Sequence, residues 1–214
     1  MVLGIYGSGG AGREVKEIAV ELNQWEEVVF IDDAVDADVF KGIRRMSFYR
    51  FQEEFSAETA EVVIALGEPK TKILLYHRVK DGGFKFGNVI HHSAWVSPTA
   101  TLGKGVVLRA GVVINADAVI EDNVTVMEQS CIGHDVILRK HCQISGYVIV
   151  GGGSEIGEGT YIGLSVPVKD HIRVGSNAIV GMGSVVVREI PDNVIAMGNP
   201  ARAMKVCDDS KVFK

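Results

Sequence analysis

The chain has 214 residues, 47% of them apolar and 23% charged, with a formal net charge of −5. That apolar content suffices for a buried core and excludes an intrinsically disordered chain, while the acidic balance excludes a general nucleic-acid binder with a basic face. No apolar run approaches the roughly 18 residues of a membrane span, and MVLGIYGSGGAG has neither the basic flank nor the cleavage pattern of a signal peptide, so a cytoplasmic chain without membrane insertion is expected.

In chain order, VLGIYG reads as a buried strand. GAGREVKEIAVELN reads as a helix, with Val15, Ile18, Ala19 and Leu22 at helical spacing. EEVVFIDD and AEVVIALG are further strands, and KTKILLYHRVKDGG is the helix that follows them. This alternation predicts a small parallel sheet with Rossmann-like winding over residues 1–88, half of a full dinucleotide-binding fold.

From Ile90 the pattern changes. Every sixth residue through Val186 is Ile, Leu or Val, seventeen positions without a break. Four residues after each, the side chain is usually small or β-branched, as at Ala94, Ala100, Val106 and Val112. Gly often follows the aliphatic residue, as at Gly103, Gly133, Gly157 and Gly163, where it is expected to tolerate turn geometry. A period of six of this kind predicts a parallel β-helix over residues 89–190, each hexapeptide giving one side and one corner of a triangular coil of about 18 residues. Residues 191–214 leave the period and are expected to cap the open end. Cys131, Cys142 and Cys207, an odd count with no CxxC pair, read as free thiols in a reducing cytoplasm.

The chemistry concentrates at two places. Gly7-Ser8-Gly9-Gly10-Ala11-Gly12 follows a strand and opens a helix, where free backbone N–H groups favour a phosphate. Asp32 and Asp33, about 20 residues on, stand where an acid commonly reaches a ribose hydroxyl. A half-size sheet is too small for a dinucleotide, so a nucleotide joined to something smaller fits better, with Gly67 as the far wall. The bland reading is that these glycines only let the helix pack on the strand. In the coil, His134 and Asp135 occupy outward positions, and Gly152 lies eighteen residues beyond the histidine, one coil along. A histidine beside bare backbone N–H groups suits acyl transfer, as base and oxyanion donor, although a lone outward histidine is more often a surface residue. A three-histidine zinc site of the β-helix kind is not matched. His134 and His141 are seven apart and His91 lies 43 residues before His134, so no metal is expected.

GSGGAG, FIDD, IALG, NVIHHSAWVSPTA, IGHDVIL and GNPARAMK together resemble the NeuD/PglD-like sugar acyltransferases over nearly the whole chain. The resemblance implies a left-handed β-helix, a homotrimer, and acetyl-CoA held between neighbouring subunits. It implies His134 as general base, Asp135 as the acid orienting it, and Gly152 as oxyanion donor. Nucleotide-sugar contacts would fall on Gly7, Ser8, Gly9, Gly10, Ala11, Asp32, Asp33 and Gly67, and coenzyme contacts on Gln143, Gly152, Leu164 and Met182. Two positions depart from the family pattern, Ala11 and Gln143, each commonly a histidine there. The expected activity is N-acetylation of a nucleotide-linked 4-amino-deoxy sugar for surface polysaccharide or glycan assembly. The rivals are O-acetylation of a sialic or related sugar, and a non-catalytic nucleotide-sugar-binding β-helix.

Overall fold

The computed structural model describes residues 1–207 and 211–212, so residues 208–210 and 213–214 of the expected cap lie outside the described residues. The chain opens on β1 (Val2–Tyr6), α1 (Gly10–Leu22) and β2 (Glu27–Ile31), with β2 parallel to β1. β3 (Ala37–Phe40) and β4 (Ile43–Met46) form a hairpin whose second strand runs parallel to β2. Then come α2 (Phe48–Glu54), β5 (Ala60–Ile64) beside β1, α3 (Pro69–Asp81) and β6 (Lys85–Phe86). The sheet order is β3-β4-β2-β1-β5-β6, the doubly wound arrangement expected of the β-α-β pattern. α1 buries Val15, Ile18 and Ala19, as their spacing requires. The β3–β4 hairpin was not foreseen, because ADVF and IRRM are short and broken by charge, too weak to show alternation.

Residues from Val89 onward form a left-handed parallel β-helix. Its two-residue strands stack in three faces. Face I runs Val89–Ile90, Val107–Leu108, Thr125–Val126, Gln143–Ile144 and onward, each step eighteen residues. Face II begins at Trp95–Val96 and face III at Thr101–Leu102, with the same step. The aliphatic residue of each hexapeptide points inward, so Ile114, Ile120, Val126, Ile132, Leu138 and Ile144 are all fully buried. A left-handed backbone residue recurs every six positions from Gly105 to Gly183, and several of these are Asp, Asn or Gly, the types that adopt it at least cost. Val194–Met197 extends face I in parallel, and Arg202–Val206 pairs antiparallel to it at the edge of the same sheet.

The glycines after the aliphatic residues have a different cause from the one expected. Gly157 and Gly163 do not adopt left-handed φ. Instead, a Cβ at Gly157 would stand 2.4 Å from the Ser176 nitrogen of the next coil, and one at Gly163 would stand 2.6 Å from the Met182 nitrogen. The constraint is coil-on-coil contact, not turn geometry. Gly157→Ala should therefore destabilise the fold by about 2–3 kcal/mol, as overpacking does. Urea unfolding checks this, and a cost below about 0.5 kcal/mol would show that the coils part freely.

The N-terminal sheet and helices lie over face I. Val89 and Val107 join the α1 core around Val15 and Ile18. Arg109 of the coil is held between Glu14 of α1 (2.7 Å) and Glu128 (2.6 Å). α3 docks beside it, its Tyr76 hydroxyl donating to Asp122 at 3.0 Å. Faces II and III are not covered in this way. The outward row of face III is mixed, Thr101, Val119, Ile137, Glu155 and Arg173, and beside it Arg139 bridges Glu121 and Glu155. The outward row of face II is apolar: Trp95, Val113, Cys131, Ile149 and Pro167, with Trp95 and Ile149 more than half exposed.

Candidate active site

The glycine loop separates into packing and open positions. A Cβ at Gly12 would meet the Gly7 carbonyl oxygen at 1.9 Å, so Gly12 serves helix-on-strand packing. A Cβ at Gly9 or Gly10 would meet nothing within 4 Å. α1 starts there with Gly9 as N-cap, no side-chain capping bond and no acidic residue in its first turn. Its first N–H groups and the positive end of its dipole are free to hold an anion.

Beside this N-terminus lies a cleft of about 260 Å³, bounded by Gly7, Ser8, Gly9, Asp32, Asp33 and Leu66 among others. The two acids differ in role. Asp33 accepts from the Tyr6 hydroxyl, the Phe48 N–H (3.0 Å) and Arg78 (2.6 Å), so it is committed to the frame. Burial opposes its ionisation, but these donors outweigh it and hold its carboxyl below the usual range. Burial, and then the Asp33 carboxylate, push the Tyr6 phenol well up. Asp32 accepts from the Ser8 hydroxyl and, at 3.1 Å, from the Ala34 N–H. Arg45, stacked over Phe40, reaches Ser8 Oγ at 3.3 Å and Asp32 at 3.9 Å, placing a cation at the cleft edge that the sequence reading passed over.

A second cavity of about 390 Å³ lies between the α1 N-terminus and face I. Gly10, Ala11 and Gly67 line one side, Gln143 and Leu164 the other, and Leu66 borders both cavities. Gln143 is 4% exposed and its Oε1 has no partner among the described residues. Met182 is 75% exposed, one coil beyond Leu164 on the same corner between faces I and II.

His134, Asp135 and Gly152 stand elsewhere, at the corner between faces II and III, across the prism from face I. His134 Nδ1 is 2.7 Å from Asp135 Oδ2. An ionised carboxylate only accepts, so the proton sits on Nδ1 and the Nε2 lone pair is free. The ring lies over Gly152, where an added Cβ would come 2.5 Å from Nε2. The Gly152 carbonyl accepts from His171, whereas its N–H has no acceptor among the described residues. Asp135 itself has φ 57°, the left-handed corner position that Asp tolerates. The arrangement supplies a base with a fixed tautomer next to an unpaired backbone donor.

Thus the sequence-predicted residues fall in three places within one chain. Gly7, Ser8, Gly9, Asp32 and Asp33 share the cleft. Gly10, Ala11, Gly67, Gln143 and Leu164 share the cavity, and His134, Asp135 and Gly152 share the far corner. Arg109 and Ser145, also in the cavity, were not singled out. They stand thirty-six residues apart on one column of face I, a signal visible once the sequence is stacked in rows of eighteen. Among the described residues, Glu21, His91 and His92 are the cluster whose donor atoms converge, within 4.8 Å. His91 Nδ1 accepts from the Ser93 N–H at 3.1 Å, so its Nε2 carries the proton and faces Glu21 Oε2 at 3.6 Å, while His92 Nδ1 lies 2.9 Å from Glu21 Oε1.

The family model of the PglD N-terminal domain matches residues 2–79. The acetyltransferase domain of PglB from Neisseria gonorrhoeae is 31% identical, with 95% of this chain and 99% of that chain covered and a TM-score of 0.90; it has also been solved with acetyl coenzyme A. A mutant of perosamine N-acetyltransferase from Caulobacter crescentus, solved with CoA and GDP-perosamine, is 30% identical over 96% of this chain and 97% of that one, with a TM-score of 0.89. WeeI from Acinetobacter baumannii AYE, at 24% identity, TM-score 0.89 and coverage of 95% and 100%, shares the fold.

Proposed function

Since the chain belongs to the NeuD/PglD-like sugar acyltransferase family, we propose that it transfers an acetyl group from acetyl-CoA to the amine of a nucleotide-linked 4-amino-deoxy sugar. The observation that carries the reading is the His134 ring, tied to Asp135 and lying against Gly152 with its unpaired N–H. Relatives solved with acetyl coenzyme A, and with CoA and GDP-perosamine, support the two substrates. The open N-terminus of α1 suits the diphosphate, with Gly9 and Gly10 leaving it room and Asp32 near the nucleoside.

In this mechanism acetyl-CoA supplies an activated thioester carbonyl. His134 Nε2 accepts the proton that the sugar amine sheds as the new C–N bond forms. Asp135 keeps the ring in the required tautomer and stabilises the imidazolium. The Gly152 N–H donates to the carbonyl oxygen as it gains charge. The proton then passes from His134 to the departing sulfur as the C–S bond breaks, so no covalent enzyme intermediate is needed. Gln143, Leu164 and Met182 are assigned to the coenzyme. The unpaired cysteines accord with a cytoplasmic reaction, and among the described residues no helix is long and apolar enough to cross a membrane.

His134 and the nucleotide cleft lie on opposite sides of one prism, so the reading needs a second copy to bring them together. The apolar row on face II is the surface assigned to that contact, in a homotrimer. Ile149→Arg should then convert a trimer to monomers in analytical ultracentrifugation and abolish turnover without unfolding the coil. An active monomer would remove the shared site.

The test of the reaction is free-thiol release from acetyl-CoA with UDP-, dTDP- and GDP-linked 4-amino sugars, and with free sialic acid alongside. Turnover on a nucleotide amine is expected. Turnover only on the free sugar would move the activity to O-acetylation, and nucleotide binding with no turnover on any acceptor would favour a binding protein.

A further inference from the structure

Buried polar atoms in folded proteins almost always have a partner, so the exceptions need a cause. Four buried side-chain atoms lack one among the described residues, and three of them, Arg109 Nε, Gln143 Oε1 and Ser145 Oγ, belong to residues lining the single cavity between α1 and face I. These residues are 6%, 4% and 2% exposed, respectively. Arg109 is held at Nη2 by Glu14 and Glu128, which leaves its buried Nε donor without a partner. Ser145 contributes a hydroxyl that can donate or accept. The walls between them, Leu66, Val107 and Met127, are apolar. A mostly apolar chamber with a few unsatisfied polar atoms suits a ligand that is itself apolar on its faces and hydroxylated at its edge.

We propose that Arg109 and Ser145 read the ring substituents of the acceptor sugar and so determine which nucleotide-linked sugar is accepted. The inference rests on the reading above. Position selects the sugar over the coenzyme arm. The chamber begins at Gly10 and Ala11, directly beyond Gly9 of the nucleotide cleft, and Leu66 borders both. A diphosphate on the α1 N-terminus therefore delivers its sugar into this space. Ser145 lies on the Leu164 and Met182 side of Gln143, next to the exposed corner where the two substrates would meet. Arg109 and Ser145 stand two coils apart, about 9.5 Å at the usual strand spacing, so each addresses a different edge of the ring.

The test compares wild type with Ser145→Ala and Arg109→Lys, the latter keeping a cation for Glu14 and Glu128 while removing the Nε donor. Titration calorimetry measures binding of UDP- and GDP-linked 4-amino-6-deoxy sugars and of UDP and GDP alone. Wild type should bind the matching sugar nucleotide more tightly than the bare nucleotide. Each variant should lose about tenfold of that margin, the scale of one hydrogen bond, with bare-nucleotide affinity and the KM for acetyl-CoA unchanged. A margin unchanged in both variants overturns the inference, and so does a raised KM for acetyl-CoA with sugar binding intact. Failure of wild type to bind any nucleotide would instead refute the underlying reading, and the inference with it.

Discussion

His134→Ala should lower turnover by about 10²–10⁴-fold, the usual contribution of a positioned general base. The ring is two-thirds exposed, and its side-chain hydrogen bond is to the adjacent Asp135. Its removal takes nothing from the core, and the melting temperature should hold, as for most surface substitutions. Acetyl-CoA binding should also hold, since the ring acts on the amine proton. A structural role would give the opposite profile, with stability lost and kcat retained. Gly152→Ala approaches the same geometry from the other side, because the new methyl group would occupy the place of the imidazole. It should lower kcat while leaving the backbone N–H in place. Near-wild-type kcat in His134→Ala, measured by thiol release at saturating acceptor, would remove His134 from the chemistry.

The β-helix was legible because its period is set by one repeated physical demand. Each coil must bury an aliphatic side chain at the same place, so Ile90 through Val186 carry the signal seventeen times. The cause of the glycines at 157 and 163 was not legible. Only the stacked coils show that a Cβ there would strike the next turn, since sequence spacing alone does not distinguish turn geometry from close approach. At the glycine loop the positions divide by residue: Gly12 packs, while Gly9 and Gly10 leave open space beside the helix N-terminus. Asp32 and Asp33 looked equivalent in the sequence and are not, because Tyr6, Phe48 and Arg78 come from three other elements to occupy Asp33. Arg109 and Ser145 stayed hidden for a related reason. Stacking the sequence in rows of eighteen puts them on one column, but what marks them is the unpartnered Nε and Oγ in a buried place, which only the fold shows.

Lys72 of α3 should give the largest stability effect in the interface between the two parts of the chain. It is fully buried, donates to Thr125 Oγ1 at 2.9 Å, and has no carboxylate partner among the described residues. Burial brings its pKa down from 10.5 to about 7. Its neighbours do not compensate. Cys142 is pushed up to about 12 by burial and is no counter-ion, while His141 is brought down to about 4, by burial and then by Lys72 itself. Between about pH 7 and 10.5 the unfolded chain therefore holds a proton that the folded chain does not. Stability from this residue must rise with pH across that window, by about 1.4 kcal/mol per unit at most. Above pH 9 the sign is contested, because the folded pKa values of Cys142 and Tyr76, both about 12, lie above their unfolded values of 9.0 and 10.0. The interval from pH 7 to 9 isolates the lysine. Lys72→Met keeps the volume and removes the charge, so it should raise stability at pH 7 by about 2–4 kcal/mol, after allowing for the hydrogen bond lost at Thr125. It should also flatten the wild-type rise between pH 7 and 9. Urea unfolding at both pH values checks this, and equal slopes in the two proteins would mean that Lys72 remains charged in the folded state.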